Sequence, residues 1–178
     1  MNNTNATTGI DIGFKYGIIG GLGLVAIYLY VYFTHNFSAA LLFGGSAVGR
    51  IVPTILAALE VRRLSKGQTT FRDVLQAAFA AIVVTYIITM FFDYFLFNYA
   101  DAAYIQLVKD YWASTMQTSM QLMGAPPEAI TDTISGMRSV ELNSGFLDVL
   151  QQLMYKIFFG FLFAAPVSFL ISRNWAGK

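Results

Sequence analysis

The sequence predicts an all-α integral membrane protein with four transmembrane helices and an extracytoplasmic helical hairpin between the third and fourth. Three observations carry that prediction. The 178 residues are 56% hydrophobic and only 12% charged, with a positive mean hydropathy, whereas ordinary soluble domains carry about a quarter charged residues. From Tyr16 to Gly49 there is no formal charge, and as helix this run is about 50 Å long, too long for one crossing of a core about 30 Å thick. Between two apolar runs lies the basic stretch Leu59-Glu60-Val61-Arg62-Arg63-Leu64-Ser65-Lys66-Gly67-Gln68-Thr69-Thr70-Phe71-Arg72-Asp73. Lys and Arg beside spanning segments mark the cytoplasmic side, and every other segment is oriented by counting outward from here.

The polar start, residues 1–11, has no basic stretch, and no small-residue cleavage site follows the first apolar run. That run is therefore expected to remain as a helix and not to be removed as a signal peptide. Thr34-His35-Asn36 is the only polar break before Arg50, so the first span is read as residues 13–33 and the second as 37–59. His35 is read as turn chemistry, since a lone histidine in a turn seldom serves as a ligand. Gly13, Gly17 and Gly21 recur at four-residue spacing, as do Gly45 and Gly49, and such small faces let membrane helices approach closely. They serve either a dimerisation seam or packing between the first two spans of one chain; the second is the plainer reading. Tyr28, Tyr30, Tyr32 and Phe33 gather near the outer end of the first span as an interfacial belt would.

Thr70 followed by Asp73 is a helix-start signature, the hydroxyl capping and the carboxylate favouring the first turn. The third span is read as residues 71–97, ending in the aromatic run Phe91-Phe92-Asp93-Tyr94-Phe95-Leu96-Phe97-Asn98-Tyr99. Acidic and amide residues return over 98–144. There Ile105, Val108, Trp112, Met116, Met120 and Met123 recur at three and four, an amphipathic helix with a Met-rich face. Gly124 and Pro126-Pro127 stop it, Pro127 opens a second helix, and Ile130, Ile134 and Met137 continue the spacing. This hairpin presents either a partner or lipid-binding face, or two helices covering each other and the bundle end. Ser144 is a candidate cap for the fourth span, 146–172, in which Pro166 is expected to kink the helix.

Charges sort by side under this threading. Lys15, Arg62, Arg63, Lys66, Arg72, Arg173 and Lys178 fall inside; Lys109 and Arg138 fall outside with Asp101, Asp110, Glu128, Asp132 and Glu141, and Lys156 is near that interface. The asymmetry predicts an inner-membrane protein, a single membrane domain over 1–178 with both termini cytoplasmic.

The order of these elements carries a resemblance: paired first helices, then Gly67-Gln68-Thr69-Thr70-Phe71-Arg72-Asp73, then the exit Asp93-Tyr94-Phe95-Leu96-Phe97-Asn98. The polar segment around Pro126-Pro127-Glu128-Ala129-Ile130 and the last span follow. In this order the chain resembles the Bacteroidota membrane proteins grouped as the domain-of-unknown-function family numbered 4199. The resemblance implies a four-helix inner-membrane protein of no established activity, with genes often near membrane glycosyltransferases. It brings no catalytic residues with it.

Chemistry-bearing motifs are sparse. The chain has no Cys, which excludes disulfides, thiolate metal sites and Cys nucleophiles. There is no His/Glu metal spacing, no phosphate-cradling Gly loop and no Ser nucleophile with a base in view. No cofactor is called for, an enzyme is not expected, and a net charge near zero gives a nucleic-acid partner no support. Arg50, Asp93 and Lys156 stand out, because ionisable residues in spans are costly and commonly functional. Counted from the inner ends of the spans, they sit about 15, 32 and 24 Å up. Asp93 and Lys156 are then expected to meet, whereas Arg50 and Asp93 are too far apart for a direct bridge. Arg50 is expected to face the bundle interior, with Thr85, Tyr86 and Thr89 as acceptors for its guanidinium. Lys156 has the plainer alternative of snorkelling to headgroups.

Two function classes stay open. One is an accessory or scaffold subunit of a membrane complex, bound to another membrane protein or to its own copies through the glycine faces or the hairpin. The other is a small oligomeric transporter or channel using Arg50, Thr85 and Thr89 as a pathway.

Overall fold

The helix packed most extensively against the other long helices is α3 (Phe71–Tyr99). The computed structural model describes residues 9–38, 40–65, 69–141 and 145–173, and among them the chain is all-α with six helices. α1 (Gly9–Thr34) leads through a π turn (Ala40–Gly44) into α2 (Gly45–Leu64). α4 (Ala102–Leu122) and α5 (Pro127–Ser139) follow α3, and α6 (Phe146–Ser172) closes the bundle. Three of these, α1, α3 and α6, are long and apolar enough to cross a membrane, which indicates a membrane location. α2 carries Arg50, Glu60, Arg62 and Arg63 and does not stand with them by composition.

Local signals set the ends of these helices. Thr70 Oγ1 accepts from the Asp73 N–H at 3.3 Å while Asp73 Oδ2 accepts from the Thr70 N–H at 3.3 Å, the expected reciprocal cap of α3. His35 ends α1 in the left-handed region (φ 52°), its N–H bonded to Val31 O at 2.8 Å, which is turn chemistry of the kind the sequence suggested. Gly124 (φ 73°) reverses the chain between α4 and α5, and Pro127 opens α5. Gly145 is the N-cap of α6, with its N–H on Asp148 Oδ2 at 3.0 Å; the cap expected at Ser144 falls outside the described residues. So do residues 1–8, Lys66, Gly67, Gln68 and Lys178. α1 starts four residues before its expected limit. α2 runs on through Arg62 and Arg63, whose charges favour the carbonyl end of a helix, to Leu64.

The glycine faces are spent within the chain, but not all where expected. A Cβ on Gly13 would meet Ala77 O at 2.5 Å, one on Gly17 would meet Val84 Cβ at 2.6 Å, and one on Gly21 would meet Ile88 Cβ at 2.8 Å. This face therefore seats α3, not α2, and the rising numbers on both sides make α1 and α3 parallel. Gly45 and Gly49 do face α1, at Ile27 and Leu24, and Gly20, which lies off the four-residue pattern, receives Pro53. Those pairs, with the Lys15–Glu60 ion pair at 3.2 Å, run antiparallel. Gly160 of α6 receives Tyr86 and Ile82 of α3, also antiparallel. At the end bearing Arg62 and Arg72, the small residues Ala57, Ala58, Ala77, Ala78, Ala81 and Ala164 form one buried apolar cluster with Ile12, Val61 and Val74. That half of the bundle is closed.

The hairpin forms as two helices, joined by Arg138 to Asp110 at 3.3 Å and by Lys109 Nζ donating to Arg138 O at 3.3 Å. Its buried edge is rotated from the Met-rich stripe. Tyr104, Val108 and Ala113 are buried, while Trp112, Met116 and Met123 are exposed. The reason is the ring of Tyr104, which packs edge-on to Tyr32 at 4.6 Å and against Phe37 at 6.0 Å. A large aromatic surface there outweighs the thioethers in choosing the inward face.

Candidate functional site

Three ionisable residues of the long helices come to one place. Arg50 of α2, Asp93 of α3 and Lys156 of α6 line a cavity of about 650 Å³ at the bundle end covered by α4. Tyr104, Val108, Tyr111 and Trp112 of α4 form its cover, and Tyr28 of α1 and Ser46 of α2 complete the polar wall. Counting from the expected end at residue 59 set Arg50 too low. With α2 running to Leu64, Arg50 stands about 21 Å from the C-terminal end of α2, level with Lys156 about 24 Å from the C-terminal end of α6.

Arg50 faces inward, but its partners differ from those expected. Nη2 donates to Tyr28 Oη at 3.4 Å, and the guanidinium lies 5.6 Å from the centre of the Tyr86 ring. Tyr86 therefore offers its π face and not its hydroxyl. Thr85 donates to Ala81 O at 2.9 Å and across the helix pair to Gly17 O at 3.1 Å; Thr89 donates to Thr85 O at 3.0 Å. Both threonines bond backbone carbonyls, as hydroxyls buried in apolar helices commonly do; among the described residues no hydrogen bond joins either to Arg50. Arg50's own carbonyl accepts from Thr54 Oγ1 at 2.7 Å.

Asp93 and Lys156 do not close a salt bridge among the described residues. Asp93 instead lies in the field of Lys156 first and Arg50 second, and Lys156 in that of Asp93 and Arg50. Two cations thus share one cavity lining with one carboxylate. Glu141, also on the lining, is exposed. Two residues on this lining each hold a buried polar atom with no hydrogen-bond partner among the described residues, Arg50 Nε and Tyr111 Oη. On the cover, burial pushes the Tyr104 phenol up to about 12, with the Asp93 and Tyr32 charges adding to it. Among the described residues no three His, Asp or Glu side chains gather as metal ligands do.

Sequence reasoning named Arg50, Asp93 and Lys156 without bringing all three together, and it missed Tyr28 and Tyr111 as members of the site. Tyr28 was legible only as one of an aromatic belt. Tyr111 neighbours Trp112 in the amphipathic stripe, and its ring stacks on Phe37 at 5.4 Å, a contact with no sequence signal.

A family model described as protein of unknown function (DUF4199) matches residues 15–173. No curated protein and no solved structure matches the chain at a significant level.

Proposed function

The chain belongs to the DUF4199 family, and we propose that it is a four-span inner-membrane accessory protein with a ligand-binding cavity at its outer end. The observation that supports binding is the convergence of Arg50, Asp93 and Lys156 on one cavity, two of whose lining residues hold a buried polar atom with no partner among the described residues. Each such group is costly in a bilayer, so a bound molecule that answers them recovers part of that cost. The role proposed is binding and not catalysis.

The fourth span in this reading is the π turn together with α2. The two run on without a break, since Gly44 has helical angles (φ −65°, ψ −50°), and 25 residues of helix measure about 37 Å. Glu60, Arg62 and Arg63 then cluster at its cytoplasmic end, beside Arg72 and Arg173 at the ends of α3 and α6. Positive charge gathered there supports cytoplasmic termini and an extracytoplasmic hairpin.

A transporter needs a polar path through the bundle. The buried cluster among the described residues between the inner halves of α2, α3 and α6 is alanine-rich and apolar, which favours binding over conduction. The partner proposed is another membrane protein, with a membrane glycosyltransferase as the first to try on the family resemblance. Purification of the full chain in mild detergent, followed by native mass spectrometry, tests this. A retained small molecule and a stoichiometric membrane partner are expected. A homo-oligomer with a polar lumen and no retained molecule would favour transport.

A further inference from the structure

We propose that the outer cavity holds a lipid-like amphiphile by a phosphate headgroup, its anion placed between Arg50 and Lys156. This rests on the reading of the cavity as a ligand site and adds the chemistry of the ligand.

The charges come first. Arg50 and Lys156 sit at similar depth on α2 and α6, and Asp93 lies within the field of both without bridging either. These three partly buried groups carry one positive charge more than they neutralise, since the second carboxylate of the lining, Glu141, is exposed to solvent. An anion placed there relieves the repulsion between the two cations.

The unmet atoms come next. Arg50 Nε can only donate, and Tyr111 Oη carries a proton to donate. Among the described residues the one side-chain hydrogen bond Arg50 makes, to Tyr28, is long at 3.4 Å. A group with several acceptor oxygens can answer such donors once the two side chains turn towards it, and a guanidinium binds phosphate oxygens through two nitrogens at once. A lone carbonyl or hydroxyl would answer one donor and leave the charge unpaired.

The walls decide what is attached to the anion. Val31, Leu42, Met90, Phe97, Val108 and Val149 line the same cavity, and its volume of about 650 Å³ lies within the range of pockets that hold drug-sized ligands. A bare phosphate would leave most of that apolar surface unfilled. The cavity lies beneath α4, towards the outer ends of the spans, where lipid headgroups meet acyl chains.

Trp112 lines the cavity and serves as the probe. The chain has two tryptophans, so Trp175→Phe leaves Trp112 as the sole emitter. The full chain in non-ionic maltoside micelles is titrated with phosphatidylglycerol brominated on its acyl chains, and separately with brominated diacylglycerol. Saturable quenching is expected with phosphatidylglycerol at a half-point about tenfold below that of diacylglycerol, the difference a hydrogen-bonded charge makes. Arg50→Leu is expected to erase that difference. Tyr111→Phe, which removes one oxygen and keeps the ring, is expected to narrow it, so the result does not hang on one variant's folding. Equal quenching by both lipids, unchanged in Arg50→Leu, overturns the anion while leaving the cavity a ligand site. No saturable quenching by either lipid overturns the ligand site as well. Complete release of the brominated lipid by millimolar inorganic phosphate identifies the source as free phosphate and overturns the amphiphile.

Discussion

The guanidinium of Arg50 lies 5.6 Å from the centre of the Tyr86 ring, and the same ring reaches α6, where a Cβ on Gly160 would stand 3.1 Å from Tyr86 Cε2. One aromatic side chain thereby connects three helices and sets the depth of the charge. The ring face attracts the cation without supplying an acceptor oxygen. This accounts for an arginine that is fixed in position and still has a donor to offer.

Arg50→Leu is expected to leave a folded protein. It gives up a long hydrogen bond and a cation–π contact worth about 0.5–2 kcal/mol, and it removes the desolvation cost of a charge, which offsets such losses in many buried sites. Thermal unfolding in detergent should shift by no more than a few degrees, while ligand retention is lost. Arg50→Lys keeps the charge but not the planar fork, and should retain ligand weakly. A Leu variant that cannot be purified folded would make Arg50 a structural residue first.

Gly17→Leu should destabilise the bundle by about 1–3 kcal/mol, the usual cost of overpacking. Its Cβ would lie 2.6 Å from Val84 Cβ and 2.7 Å from Ala81 O, and the backbone oxygen cannot move aside cheaply. Gly23→Ala is the control, because nothing lies within 4 Å of that position, and alanine is worth about 1 kcal/mol over glycine in a helix interior. Equal melting temperatures for the two variants would contradict the close α1–α3 approach.

The helices were legible because their signals are local. The Thr70–Asp73 cap, Pro127 and the unbroken apolar runs need only neighbours in sequence to be read. The partners of the glycine faces were not, since a four-residue spacing gives a face and says nothing about which helix fills it. Gly13, Gly17 and Gly21 meet α3 across some 70 residues of chain. The site was half legible for the same reason. Charges in spans announce themselves by their cost, but their common cavity depends on α2 extending to Leu64 and on Tyr104 turning α4. Those outcomes are set by packing.

Tyr104 gives the hairpin a dependence on alkaline pH. Burial raises its phenol to about 12 from an ordinary value near 10, so the folded state favours the neutral form. The stabilisation this represents is complete below about pH 10 and is lost as pH rises towards 12. Phenolate absorbance of the wild type minus that of Tyr104→Phe should show one group titrating near the top of that range. Over the same window the Trp112 emission should redden as α4 loosens, and less so in Tyr104→Phe. A difference titration centred near 10 would place Tyr104 in water.

The orientation of the whole chain is open to direct labelling, since no native cysteine competes. Ser65 follows the last turn of α2, next to Arg62 and Arg63; Thr131 is exposed on α5. If α3 crosses the membrane and the hairpin does not, the two positions lie on opposite sides, because α3 is the candidate span between them. Thr131→Cys should then react with an impermeant maleimide in intact cells, and Ser65→Cys only after permeabilisation. The basic residues around Ser65 set the sign of the result, as positively charged loops are retained in the cytoplasm. Labelling of Ser65→Cys alone would invert the chain and carry Arg50, Lys156 and the cavity to the cytoplasmic leaflet. Labelling of both in intact cells would mean that α3 does not span, which its length and apolar composition argue against.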